Sequence, residues 1–120
     1  MAEIHDLGKK GEEIAAAHLA SKGFKILQKN WRIGSYELDI IAENDDLIVV
    51  AEVKTRSSTV FGDPEFSVNK GKQKNMIRAA NSYITFRNIE KEVRFDIISI
   101  VITGETSVVN HIEDAFYPTL

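Results

Sequence analysis

Two runs of apolar residues between positions 37 and 56 carry charge where central strands rarely do: Glu37-Leu38-Asp39-Ile40-Ile41-Ala42, and Leu47-Ile48-Val49-Val50-Ala51-Glu52-Val53-Lys54-Thr55-Arg56. Each reads as a strand, and Asn44-Asp45-Asp46 supplies the turn between them. Upstream, Leu7, Gly11, Ile14, Ala15, His18 and Leu19 recur at intervals of three and four, which predicts a helix over about 5–21 closed by Gly23 in a left-handed cap. Residues 24–28 and 31–33 read as an extended segment, with Gly34-Ser35 as the turn into the first charged run. Three successive strands with tight connections predict an antiparallel meander.

After Arg56 the pattern loosens, and Ser57-Ser58-Thr59-Val60-Phe61-Gly62-Asp63-Pro64 reads as a loop following a strand end. Helical spacing returns over about 69–87, with Met76, Ala79, Ala80 and Tyr83 on one face and Lys70, Lys74 and Arg78 opposite. Lys72 is the exception, four residues before Met76 and seven before Ala79, so it projects from the apolar stripe. The β-branched run 94–102 predicts a strand buried on both faces. A strand, a helix and another strand form a crossover, so 47–56 and 95–102 are expected to run parallel. Residues 107–113 read as a short edge strand, with Phe116-Tyr117-Pro118 closing the chain.

With 120 residues the chain is expected to form a single domain, 1–120, around one core. It has no cysteine, which removes disulfides, thiolate metal sites and thiol nucleophiles and fits a reducing compartment. No apolar run suggests a membrane span and the start lacks a signal-peptide core, so a cytoplasmic location is expected. Fifteen basic and eighteen acidic residues give a net charge of −3, which argues against a general nucleic-acid coat. The segment 54–78 nonetheless holds six basic residues against Asp63 and Glu65, a local basic patch.

Adjacent strands could hold the Asp39 and Glu52 carboxylates a few ångströms apart, where two bare charges repel strongly and a divalent cation relieves the repulsion. Carboxylate oxygens are the ligands that Mg2+ or Mn2+ prefers, and no cysteine or histidine cluster offers a softer set. Lys54 leaves the same strand face as Glu52 and can approach a water or a scissile phosphate. Two acids and a lysine suit phosphodiester hydrolysis, the lysine positioning or deprotonating water and offsetting developing charge. An E-x-K triplet also describes an exposed strand face, and Glu37 with Asp39 a solvated edge, although Leu38, Ile40 and Ile41 argue against full exposure. Glu12 lies on or beside the stripe of the first helix, where an acid also favours the helix dipole. Lys72 is either a site residue or a snorkelling rim lysine, and Lys70, Lys74 and Arg78 either track phosphates or form a solvated face. Trp31 and Phe61 have the flat faces that stack on bases, a core or loop anchor being the commoner role. His5, His18 and His111 lack a zinc spacing, and the glycines form no phosphate-cradling loop.

As a set these residues resemble a known group. Gly11-Glu12 with Ala15 and Leu19, Gly23-Phe24, Asn30-Trp31-Arg32, the two charged runs, Phe61-Gly62-Asp63-Pro64, Val68 and Lys72, Ala80 and Tyr83, and Arg94-Phe95-Asp96 resemble the YraN family of uncharacterised bacterial proteins across nearly the whole chain. That family is similar to the PD-(D/E)XK nucleases, notably archaeal Holliday junction resolvases. The resemblance implies an α/β fold with a restriction-endonuclease-like αβββαβ core, a mixed central sheet flanked by helices. It implies that Asp39 and Glu52 bind Mg2+ or Mn2+, that Lys54 is the catalytic lysine, and that Glu12 completes the site from the helix. Glu37 matches the acid of the family's G-E-I-D-L-I-A pattern, in which Tyr36 here replaces the glycine. The expected function is a metal-dependent endonuclease on structured or branched DNA, with Arg56, Lys70, Lys72 and Lys74 as nucleic-acid contacts and a homodimer suited to cutting two strands. The alternative is a non-catalytic nucleic-acid-binding protein of nuclease ancestry.

Overall fold

The computed structural model describes residues 3–57 and 67–118; the loop motif Phe61-Gly62-Asp63-Pro64 lies outside them. The elements are α1 (Glu3–Ser21), β1 (Lys25–Ile33), β2 (Tyr36–Glu43), β3 (Leu47–Ser57), α2 (Lys70–Arg87), β4 (Glu92–Thr103) and β5 (Thr106–Phe116). The strands form one sheet in the order β1-β2-β3-β4-β5. The meander β1-β2-β3 is antiparallel, β4 pairs parallel to β3 after the α2 crossover, and β5 returns antiparallel. This is the mixed α/β sheet of a restriction-endonuclease-like core, with β5 added at one edge.

Each helix covers one face of the sheet because strand side chains alternate. On β3, Ile48 and Val50 join the cluster that contains Met76, Ala79, Ala80 and Tyr83 of α2. Val49 and Ala51 join the cluster that contains Ala15 and Leu19 of α1. Continuing that alternation past Ala51 puts Glu52, Lys54 and Arg56 on the α2 face at the end of the strand, and Val53 on the α1 face.

Helix ends fix where the side chains point. Gly23 at φ +91° follows α1, and the Phe24 N–H returns to the Leu19 carbonyl at 3.1 Å, as a left-handed cap requires. At the start of α2 the Asn69 side chain accepts from the Lys72 N–H at 2.8 Å, a helix N-cap that sets Lys72 in the first turn. None of the described helices is long and apolar enough to cross a membrane.

One element is longer than expected. β5 runs from Thr106 to Phe116 rather than stopping near Glu113. The ladder shifts register between Phe95 and Ile97, opposite Asp114 at φ +54°, and then resumes. Phe116 stacks on Phe95 with 5.1 Å between ring centroids, which returns the chain end to the core.

Candidate metal centre

The site grows from a fork between two strands. β2 and β3 pair from Glu43–Ile48 to Ile40–Ala51, whereas residues 36–38 of β2 pair with β1. Strand alternation also slips here: Leu38 and Ile41 face α2, while Ile40 and Ala42 face α1. Asp39 lies at the slip. Its Oδ2 accepts from the Val53 N–H at 2.9 Å, so the carboxylate bridges the fork.

Across the fork, Glu52 is 4% exposed and accepts from Lys72 Nζ, with Lys54 Nζ at 4.0 Å from the same oxygen. The Asp39 carboxyl is raised to about 7 by burial first, then by the Glu52 charge, with the Val53 hydrogen bond opposing and Glu12 adding. Lys72 responds inversely: burial lowers its pKa, but the bond to Glu52 and the charges of Glu52, Asp39 and Glu37 outweigh burial and raise it. Burial and the neighbouring Glu52 charge therefore oppose ionisation of Asp39 while its carboxylate stands beside that of Glu52.

These groups line a cleft of about 520 Å3 whose walls are the β1–β2 turn and the first turns of α2. Asp39, Glu52, Glu37 and Lys72 all line it, whereas Lys54 is not among its lining residues and lies beside it, its Nζ 4.0 Å from Glu52. Glu37 is held by Arg32 at 2.8 Å, an ion pair across β1 and β2. Glu12 enters from α1, where its Oε1 accepts from Asn30 Nδ2 at 3.0 Å and its charge acts on Asp39. Arg56 lies on the α2 face of β3, beyond Lys54. Lys70 and Lys74 are not brought to the cleft; they line a separate recess with Gln73, Ile77, Phe116 and Tyr117.

Among the described residues no three acidic or histidine side chains converge as a ready-made cage. The Asp39–Glu52 pair nevertheless fits a hard divalent cation, since magnesium is commonly held by one or two carboxylates with water and substrate completing its shell. The donor chemistry carries that fit: burial and then the Glu52 charge raise the Asp39 carboxyl, and a lysine ammonium already sits on Glu52.

Two residues that the sequence singles out only by pattern, Asn30 and Gly11, take roles at the site. Asn30 has φ +54°, a left-handed conformation uncommon outside glycine, and stands opposite Asp39 between the flanking pairs Lys29–Ile40 and Trp31–Leu38. Asparagine inside a strand-like run was the available signal. Gly11 is buried on α1, and a Cβ there would overlap the Thr55 side chain of β3, so only glycine lets α1 settle at the depth from which the neighbouring Glu12 reaches the fork.

A second charged cluster lies on the other face of the sheet. Asp96 is 0% exposed and accepts two bonds from Arg94 at 3.0 Å each, one from the Asp114 N–H at 3.0 Å, and contacts His111 Nε2 at 2.7 Å. His111 Nδ1 in turn lies 3.0 Å from His18 Nε2 of α1. Burial would raise the Asp96 pKa, but the bonds from His111, Arg94 and Asp114 outweigh it and hold it below the ordinary carboxylate value. His18 is lowered by burial, then by His111 and Lys22. The cluster ties β4, β5 and α1 together away from the cleft.

Comparison with known proteins gives a consistent neighbourhood. The family model described as uncharacterised protein family UPF0102 matches residues 11–100. A UPF0102 protein of Bacteroides thetaiotaomicron is 45% identical over 120 residues, covering 100% of this chain and 99% of the relative. One from Flavobacterium johnsoniae is 46% identical over 121 residues, with 98% of each covered. One from Thermodesulfovibrio yellowstonii is 46% identical over 117 residues, covering 98% of this chain and 100% of the relative.

Proposed function

The chain belongs to the uncharacterised protein family UPF0102, the YraN-like family its sequence resembles, and on that premise we propose that it is a metal-dependent endonuclease hydrolysing phosphodiester bonds in structured or branched DNA. The observation that carries this reading is the Asp39–Glu52 pair at the strand fork, two mutually repelling carboxylates with two lysines on one of them. Asp39 and Glu52 are the residues that would hold Mg2+ or Mn2+. Bound there, the cation supplies Lewis-acid polarisation and charge neutralisation for the phosphodiester.

The chain's own groups divide the remaining work. Lys54 orients the attacking water and offsets charge developing on the phosphate. Lys72 holds the Glu52 carboxylate at the cleft wall, where an incoming phosphate competes for its ammonium. Glu12, anchored by Asn30, keeps the field at Asp39 negative and so favours a cation. Arg56 follows Lys54 along the strand as a phosphate contact, while Lys70 and Lys74 engage nucleic acid only if it wraps beyond the cleft. Two copies in a homodimer would suit paired cuts at a junction.

A non-catalytic nucleic-acid-binding role is the second reading, favoured by the Lys72–Glu52 pair, in which an ammonium already serves as the counter-ion. Incubation with Mg2+ or Mn2+ and a panel of linear, flap and four-way DNAs separates the two. The nuclease reading expects cutting that disappears in Asp39→Asn and Lys54→Ala. Cutting that survives in both variants removes the site assignment, and binding without cutting leaves the second reading.

A further inference from the structure

We propose that an apolar recess adjoining the acidic cleft holds an unpaired nucleobase of the same strand whose phosphates lie in the cleft, an inference that rests on the nucleic-acid reading above. The recess has a volume of about 560 Å3 and is lined by Trp31, Ile33, Asn81, Ser82, Thr85 and Phe86. That size is ordinary for a small-ligand site. Trp31 forms its fixed wall, because its ring is braced edge-on against buried Tyr83 at 5.1 Å. Phe86 forms the free rim at 83% exposure, an aromatic left in water with nothing from the described residues covering it. Two aromatic rings at a recess edged by an amide and two hydroxyls match a base, which has flat faces to stack and polar edges to hydrogen-bond.

Continuity and charge say what occupies it. Asn75 lines the acidic cleft, and Ser82 and Phe86 follow it on α2 at seven and eleven residues, the same side of the helix. The β1–β2 turn is the other shared wall, with Ile33 in the recess and Ser35 and Tyr36 in the cleft. The two hollows thus follow one another along α2, their lining residues from Asn75 to Phe86 spanning about 16 Å of helix rise, the reach of a few nucleotides of single strand. Of the basic residues of α2, Lys72 lines the cleft, and Arg87 lies over the ring of Tyr83, 5.1 Å from its centroid, where Tyr83 braces Trp31. A polyanion running past these two cations is favoured, whereas a two-fold contact through the recess would bring one Arg87 towards another. A paired base keeps its faces stacked in the duplex and cannot enter, so the recess selects frayed, flapped or branched strands.

Trp31 is the single tryptophan of the chain, so its emission reports on the recess directly. The test titrates the protein with oligothymidylate, and with the same strand annealed to oligodeoxyadenylate, in calcium in place of magnesium to prevent cutting. The expected result is quenching of Trp31 by the single strand and not by the duplex, and affinity for the single strand lowered about tenfold or more in Phe86→Ala. The exposure of Phe86 makes that variant structurally silent, which its circular dichroism checks. DNA bound equally by parent and Phe86→Ala with Trp31 emission unmoved, or equal quenching by duplex, overturns the recess while leaving the nuclease reading standing. No binding of any DNA overturns both. Emission that instead follows protein concentration alone, with a dimer in sedimentation, assigns the recess to a second copy and overturns the proposal.

Discussion

Replacing Asp39 by asparagine is expected to stabilise the metal-free protein at neutral and higher pH while abolishing its function. A carboxyl raised to about 7 from an ordinary value of 3.8 binds its proton more tightly folded than unfolded. Its contribution is complete below the unfolded pKa and is lost as pH rises through the folded one, so the parent loses stability between about pH 4 and pH 7. A shift of some three units corresponds to about 4 kcal/mol. Water at the cleft mouth screens part of it, leaving about 1–3 kcal/mol to be gained by the variant between pH 5 and pH 8. Asparagine keeps the acceptor for the Val53 N–H and offers an amide donor to Glu52, so the fork retains its geometry. Urea denaturation of both proteins in chelator at the two pH values measures the difference. A gap between them that does not change with pH, or a variant less stable at both, refutes the electrostatic reasoning.

Gly11→Ala is expected to lower stability by about 1–3 kcal/mol, because the new methyl must push α1 off Thr55, and Thr55→Ala in the same chain should restore part of it; a urea midpoint equal to the parent's rules the close contact out. Asn30→Gly keeps the left-handed backbone and loses only the hold on Glu12, whereas Asn30→Ala adds about 1 kcal/mol of backbone strain. Both should weaken manganese binding alike in calorimetry, and parental affinity in the glycine variant would show that the anchor has no part in the site. Asp96→Asn removes the buried charge that half-buried Arg94 grips with two bonds, leaving Arg94 with Glu113 at 3.7 Å, and is expected to destabilise by about 2–3 kcal/mol. Since Asp96 is held below its ordinary pKa, its stabilisation is present above about pH 4 and is lost as pH falls, so the variant should show a flatter acid limb in thermal melts.

Periodicity carried most of the architecture, and the reasons are local. The cap at Gly23, the stripe Met76, Ala79, Ala80 and Tyr83, and the β-branched run that became β4 each state their structure within a few residues. Charge inside apolar runs singled out Asp39, Glu52 and Lys54 on the same logic, and the offset of Lys72 from its helix's solvated face put it on the stripe that faces the sheet, where the structure pairs it with Glu52. What escaped depended on contacts between distant segments. The overlap that reserves position 11 for glycine exists only where α1 crosses β3, and the role of Asn30 appears only when Asp39 and Glu12 arrive from two other elements. Asp96 was hidden for the opposite reason: Phe95 and Ile97 to Ile98 around it read as plain core, while its partner His111 lies on an edge strand with no visible link to it. Lys70 and Lys74 share a sequence neighbourhood with Lys72 but not its direction, because a helix sends residues two apart to different sides.

Calorimetric titration of Mn2+ into the parent and into Asp39→Asn at pH 8 tests most directly whether the fork is a divalent-cation centre. Saturable binding by the parent that is lost in the variant, while the variant remains folded and at least as stable, is the outcome expected of a cation held between the Asp39 and Glu52 carboxylates. Binding of equal strength in both proteins, or no binding in either, contradicts it and leaves Asp39 and Glu52 with a purely structural role.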